Sequence, residues 1–323
     1  MVIVIDFSPS TAPFVQQQPT MKICAACSQE LPKDKFSKKQ WQLKQCRRCK
    51  ECIAVNREAK LDGEGELEAL PNDAPQLPFA DGEEAPRHTD EDLFKQPPPR
   101  DECPICFHPL PLDEQEQIYQ ACCGKIICLG CIYAVKVGDE DIPCPFCRTP
   151  ARTSDGEWVE RLKERTEGDD AMAMYNLGCD YYNGRKGLRQ NLRKAMKLFL
   201  QAGELGYAAA YHNIGYAYYH GEGVEKDENK AKYYYELAAM GGDAYARYNL
   251  GLFEQREGNM SRSVKHWMIS AGAGDDDSLK SIQKCFVNGD ATKDDFEKAL
   301  RAHKDAKDEM SSDQRDKAAA ARG

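Results

Sequence analysis

The stretch LGYAAAYHNIGYAYYHGEGVEKDENKAKYYYELAAMGG, residues 205–242, decides the fold. Its alanines, glycines and tyrosines form two helical patterns separated by a Gly-Glu-Gly turn, and pieces of it recur along the chain. Tyr175-Asn176-Leu177-Gly178 returns as His212-Asn213-Ile214-Gly215 and again as Tyr248-Asn249-Leu250-Gly251, starting points 37 and 36 residues apart. Lys194-Ala195 with Ala202 and Gly206 matches Lys230-Ala231 with Ala238, Ala239 and Gly242. Lys265, His266, Trp267, Ala271 and Gly274 form a more degenerate copy. Small residues at fixed places in paired helices let the helices approach closely, and tyrosines fill the seam between units. A period of this size predicts a helical solenoid.

With Gly221-Glu222-Gly223-Val224, Asp227, Lys230-Ala231 and Ala238-Ala239, this stretch resembles a Sel-1-like repeat, a relative of the tetratricopeptide repeats. The resemblance covers roughly residues 169–274, with a divergent fourth unit from 275 to about 304 that caps the stack. It implies a surface that holds partner proteins. The first copy departs from the pattern with Asn183-Gly184-Arg185-Lys186-Gly187, and the third has a shortened loop at Glu257-Gly258-Asn259. Gly221-Glu222-Gly223 lies between helices with no preceding strand, so it reads as a turn and not as a phosphate loop.

Thirteen of the fifteen cysteines lie before residue 150, and Cys179 and Cys285 stand alone in the repeats. Eight of the thirteen fall in one order: Cys103-Pro104-Ile105-Cys106, Cys122-Cys123, Cys128-Leu129-Gly130-Cys131 and Cys144-Pro145-Phe146-Cys147. In a chain without a secretory signal, CxxC pairs are metal ligands before they are disulfide halves. Zinc needs four donors converging tetrahedrally, and a CxxC knuckle supplies two from one tight turn.

The spacing resembles a RING domain. That resemblance implies cross-bracing, with Cys103, Cys106, Cys128 and Cys131 on one zinc and Cys122, Cys123, Cys144 and Cys147 on the other. The commonest RING carries a histidine shortly before the third pair, where this chain has Lys125, and a protonated lysine has no lone pair to donate. An all-cysteine RING resolves this by using Cys122 and Cys123 together, with His108 as the fallback ligand. The family also implies that Ile105, Val135, Pro145 and Phe146 form the shallow surface that receives a ubiquitin-conjugating enzyme, and that Arg148 is the linchpin of transfer. A planar, permanently charged fork suits that role. The competing reading makes the apolar residues small-domain core and Arg148 a solvated charge.

Cys24-Ala25-Ala26-Cys27, Phe36-Ser37-Lys38-Lys39-Gln40-Trp41 and Cys46-Arg47-Arg48-Cys49-Lys50-Glu51-Cys52 resemble the Stc-one zinc finger, a LIM-like protein-bridging module. The resemblance implies one further zinc on Cys24, Cys27, Cys49 and Cys52. Cys46 is then spare, although it also makes a CxxC with Cys49. Lysines and arginines surround Trp41, but no second aromatic provides a stacking platform for nucleic acid.

A net charge of −9 argues against whole-surface attraction to nucleic acid or anionic membrane. The apolar start is too short for a signal core or a membrane span, which makes cytoplasm or nucleus the default. The expected architecture is mainly α: a helical-repeat solenoid preceded by two small zinc-stabilised modules joined by a disordered acidic linker. Its parts are a disordered start (1–20), the LIM-like finger (21–57), the linker (58–99), the RING cross-brace (100–152), the repeats (153–305) and a charged tail (306–323). The leading function is a RING-type E3 ubiquitin ligase or ligase subunit carrying three zinc ions, with a conjugating enzyme and protein clients as partners. The alternative is a non-enzymatic, zinc-dependent scaffold.

Overall fold

The computed structural model describes the strands Met21–Ile23 and Glu30–Pro32 and residues 88–136 and 143–321. The chain divides into two compact units, Met1–Glu64 and Gly65–Gly323. In the first, β1 (Met21–Ile23) and β2 (Glu30–Pro32) pair antiparallel with Met21 opposite Pro32. The ligands expected for the amino-terminal finger, Cys24, Cys27, Cys49 and Cys52, lie outside the described residues.

In the second unit the repeats form antiparallel helix pairs. After α1 (Asp90–Leu93) and α2 (Leu129–Lys136), a lead-in helix α3 (Asp155–Glu167) precedes α4 (Ala171–Asn183) with α5 (Leu192–Glu204) and α6 (Ala208–His220) with α7 (Glu228–Met240). Then come α8 (Ala244–Arg256) with α9 (Met260–Gly272), α10 (Asp276–Asn288) with α11 (Lys293–Met310), and a last short helix, α12 (Asp313–Ala320).

Most helix starts are written in a side-chain cap, those of α6 and α9 excepted. Asp170, Asn191, Asp227, Asp243, Asp275, Thr292 and Ser312 accept a hydrogen bond from the N–H three residues on, satisfying a donor the helix cannot. The turns from one pair to the next share Gly206, Gly242 and Gly274 at φ 94, 98 and 94°, a left-handed backbone that favours glycine.

A second set of glycines sets how closely the helices of a pair approach. A Cβ on Gly178, Gly215 or Gly251 would fall 2.7, 2.9 or 2.2 Å from the rings of Phe199, Tyr235 and Trp267 respectively. The Asn-Leu/Ile-Gly motif therefore marks the socket into which the facing helix inserts its aromatic ring. Ala195, Ala202, Ala231, Ala238 and Ala239 are fully buried on those facing helices, as the spacing implied.

Two parts of the expected organisation change. The end of the acidic linker is not solvated: Leu93 is 1% exposed and belongs to the same core as the repeats. Phe94 packs on His266 at 4.7 Å, beneath Arg262 and Lys265. Arg247 donates to the Leu93 carbonyl, His88 stacks on Tyr233 and meets Glu236 at 2.9 Å, and Arg262 pairs with Asp90. The apolar part of this anchor is only two adjacent residues, and two residues make no periodicity to read. The charged tail is also structured: α11 runs on to Met310, and α12 buries Arg315 and Ala318.

Candidate metal centre

The cysteine module is a hairpin between two matching knuckles. Strands β3 (Gln117–Gln120) and β4 (Lys125–Cys128) pair antiparallel with Gln120 opposite Lys125, and Gly124, at φ 70°, closes the turn. Cys122 and Cys123 sit in that turn, Cys128 ends β4, and Cys131 falls in the first turn of α2. In the first knuckle Phe107 N–H donates to Cys103 O (2.9 Å) and Cys103 N–H to His108 O (3.0 Å). The last knuckle repeats this with Arg148 N–H to Cys144 O (2.9 Å) and Cys144 N–H to Thr149 O (2.8 Å). Phe107 and Arg148, equivalent residues, have φ 58 and 59°.

These elements gather the thiols into two groups. Cys103, Cys106, Cys128 and Cys131 form one, and Cys122, Cys123, Cys144 and Cys147 the other, with all sulfurs in each group within 4.8 Å of one another. The sulfurs of Cys103 and Cys131, and of Cys106 and Cys128, are 3.8 Å apart; Cys123 and Cys144 are 3.8 Å apart, and Cys122 and Cys147 3.4 Å. Zn–S bonds of about 2.3 Å at a tetrahedral centre require S···S separations of about 3.8 Å. Both donor sets therefore fit zinc and could hold it. The pairing is interleaved, first pair with third and second with fourth.

Local hydrogen bonding holds two of the thiols toward thiolate, while burial pushes Cys122, Cys123, Cys128 and Cys131 up. Burial opposes ionisation of Cys103, but the backbone N–H groups of Cys106, Cys128 and Ile105 outweigh it and draw the thiol down to about 7. Thr149 Oγ1, 3.0 Å from Cys147 Sγ, leads the effects that lower that thiol to about 6.

Neither group contains histidine. His108 instead bonds through Nδ1 to Cys106 O at 3.0 Å, bracing the knuckle. Lys125 places its ammonium 5.3 Å from the centre of the Phe146 ring. Ile105, Val135 and Phe146 are 38, 42 and 48% exposed, and Pro145 and Arg148 are exposed as well. Core packing is therefore not what these apolar side chains do. Sequence reasoning passed over Phe107, 70% exposed, although its place directly after a knuckle matches that of Arg148.

Another face of the module packs on helices. Tyr119 and Ala121 join the core of the repeats. Tyr119 OH donates to Asp170 Oδ2 at 3.0 Å and accepts from Arg165 Nε at 2.9 Å, while Arg165 pairs with Asp170 at 2.7 Å. Asp170 is also the cap of α4, so a single carboxylate joins hairpin, lead-in helix and first repeat. Glu114 accepts from Tyr175 OH at 3.0 Å, and burial pushes its carboxyl above the usual range.

Fold and site together define a helical-repeat solenoid that carries two interleaved four-thiol groups. Residues 171–207 and 208–243 match the family model of the Sel1 repeat. The chain is 32% identical over 117 residues to the ERAD-associated E3 ubiquitin-protein ligase component HRD3B of Arabidopsis thaliana, covering 36% of this chain and 18% of that protein. It is 36% identical over 90 residues to cytochrome c oxidase assembly factor 7 of Homo sapiens, covering 26% of this chain and 39% of that one. It thus spans less than half the length of either relative. The crystal structure of a Sel1 repeat protein from Oxalobacter formigenes aligns with a TM-score of 0.42 and 27% identity, over 47% of this chain and 64% of that one. Among the described residues no helix is long and apolar enough to cross a membrane.

Proposed function

We propose that this chain is a RING-type E3 ubiquitin ligase, or the RING subunit of one, whose repeats recruit protein partners. The observation that carries the reading is a coincidence in one small module. Two interleaved four-thiol groups stand beside apolar residues that remain exposed, while other apolar residues of the module are buried against the solenoid. The printed name of the relative HRD3B, a ubiquitin ligase component, points the same way.

Cys103, Cys106, Cys128 and Cys131 would hold one zinc and Cys122, Cys123, Cys144 and Cys147 the other. Four thiolates leave no open position, so the metal contributes folding energy and does not activate water. Ile105, Val135, Pro145 and Phe146 receive the ubiquitin-conjugating enzyme. Arg148 then hydrogen-bonds enzyme and ubiquitin together, holding the thioester where an amine can attack it; the chain's contribution is positioning. A third zinc belongs to Cys24, Cys27, Cys49 and Cys52.

Reconstituted ubiquitination across a panel of conjugating enzymes tests this. Zinc-dependent product is expected, with Arg148→Ala and Ile105→Ala each lowering the rate at least about tenfold, the effect of about 1.4 kcal/mol lost at the transition state. A folded, zinc-loaded protein giving no product with any of them refutes the ligase. The shared core of module and repeats favours a second reading, a scaffold in which the module only clamps the solenoid; full activity in Arg148→Ala would remove the main residue-level reason for preferring catalysis.

A further inference from the structure

Helix α12 reads Asp-Gln-Arg-Asp-Lys-Ala-Ala-Ala, too short and too polar to hold itself together in water. It is ordered against α2, and the approach is backbone to backbone. A Cβ on Gly130 would lie 2.7 Å from Arg315 N and 2.9 Å from its Cα. Gly130 stands between Cys128 and Cys131, so the helix lies directly over the first thiol group.

From there Arg315, 9% exposed, turns its guanidinium inward. Nη1 donates to Pro109 O at 2.8 Å and Met310 O at 2.5 Å, and Nη2 reaches Cys106 Sγ at 3.6 Å and His108 O at 3.5 Å. Gln314 Oε1 is 3.9 Å from Cys131 Sγ, and with a thiolate there the amide would turn to present its N–H groups. Four thiolates around one divalent cation leave an excess of negative charge, and a buried guanidinium donating to sulfur offsets it. In the second group the polar side chain that reaches sulfur is the neutral Thr149.

We propose that Arg315 is a positioning residue of the first metal group, and that docking of α12 and metal retention by that group are one linked equilibrium. This rests on the metal reading of the thiol groups. Linkage is reciprocal: whatever undocks the helix loosens the metal, and losing the metal frees the helix. Loss of an outer-shell partner usually costs about 10- to 100-fold in metal affinity.

The test uses the full zinc-loaded chain, a chromophoric chelator to time zinc release, and hydrogen-exchange mass spectrometry to tell the groups apart. Residues 101–110 and 125–135 report the first group and 143–149 the second. Arg315→Gln removes the charge. Gly130→Ala undocks α12 through its clash while giving α2 a better helix former. Both variants are expected to release zinc from the first group about 10- to 100-fold faster, with the second group unchanged. Arg315→Lys, which keeps the charge but loses the fork, falls between. In the wild type, exchange at 312–320 rises in step with metal loss from the first group. Release at the wild-type rate in both variants overturns the proposal, as does equal acceleration at both groups. A wild-type chain that binds no zinc overturns the metal reading and this inference with it.

Discussion

Replacing Gly251 by alanine should destabilise the repeats, although alanine is the better helix former. The position is inside α8, where propensity alone favours alanine by about 1 kcal/mol. The new methyl would lie 2.2 Å from Trp267 Nε1 and 2.6 Å from Cδ1 and Cε2. The ring has no room to retreat: it is 1% exposed, and its N–H is held by Tyr248 O at 3.2 Å. Overpacking a full core costs about 1–3 kcal/mol, and a 2.2 Å clash with a held ring falls in the upper part of that range, about 2–3 kcal/mol; set against the helix gain of about 1 kcal/mol, the net loss is about 1–2 kcal/mol. Gly272→Ala is the control, because its Cβ meets only Ala302 Cβ at 3.7 Å, and it should raise stability by up to about 1 kcal/mol. Urea denaturation followed by circular dichroism at 222 nm, with exchange of the α8 and α9 amides to locate the effect, reads both. A Gly251→Ala protein as stable as the wild type would refute the socket account of the Asn-Leu-Gly motif.

The remaining predictions concern acid, metal and the acidic segment. Burial above all, then Arg247 from α8, Arg262 from α9 itself and Lys232 from α7, holds the His266 imidazole down to about 3; Phe94 packs on the ring, while Glu254 of α8 pairs with both Lys232 and Arg262. Because the unfolded chain takes up that proton near pH 6.5, the stabilisation is complete above pH 6.5 and falls away toward pH 3, a loss of about 2 kcal/mol by pH 5. His266→Gln should lack this part of the pH dependence, and equal slopes between pH 7 and 5 in the two proteins would show that the ring is not the cause. Metal analysis is expected to give three zinc ions per chain and, with Cys147→Ser, two; an unchanged count would exclude Cys147 as a ligand. Leu93→Ala opens a cavity under a fully buried side chain at a cost of about 2–5 kcal/mol. That exceeds what a four-residue helix can supply, so proteolysis should become fast within residues 88–100 while the helical signal persists.

The repeats were legible because their devices are local and periodic: a polar cap before most helices, a glycine beneath each inserted ring, a glycine at each turn between pairs. The grouping of the eight thiols was legible through the resemblance to a RING, which implies first pair with third and second with fourth; CxxC spacing alone leaves other pairings open. What the sequence concealed depends on single long-range contacts. Leu93 and Phe94 look like stray apolar residues in an acidic run, and only the folded solenoid gives them a place. Gly130 reads as a neutral filler between ligands until the backbone of Arg315 is seen against it. Arg315 itself sits in a stretch whose composition resembles any solvated tail. The exposure of Phe107 could have been found by comparing the two knuckles, since Cys-Pro-Ile-Cys-Phe and Cys-Pro-Phe-Cys-Arg put their fifth residues in equivalent places.

Repeat arrays are ordinarily open-ended: they bend and stretch like springs, and they fray from their first and last units. Here one cysteine module touches the lead-in helix and first repeat through Tyr119, Arg165 and Asp170, and α12, which follows the last helix pair, through Gly130. The spring is clasped. Undocking either the lead-in helix or α12 breaks contacts with the same module. A partner that pulled on either of these helices would then load the same small joint that carries the exposed knuckles.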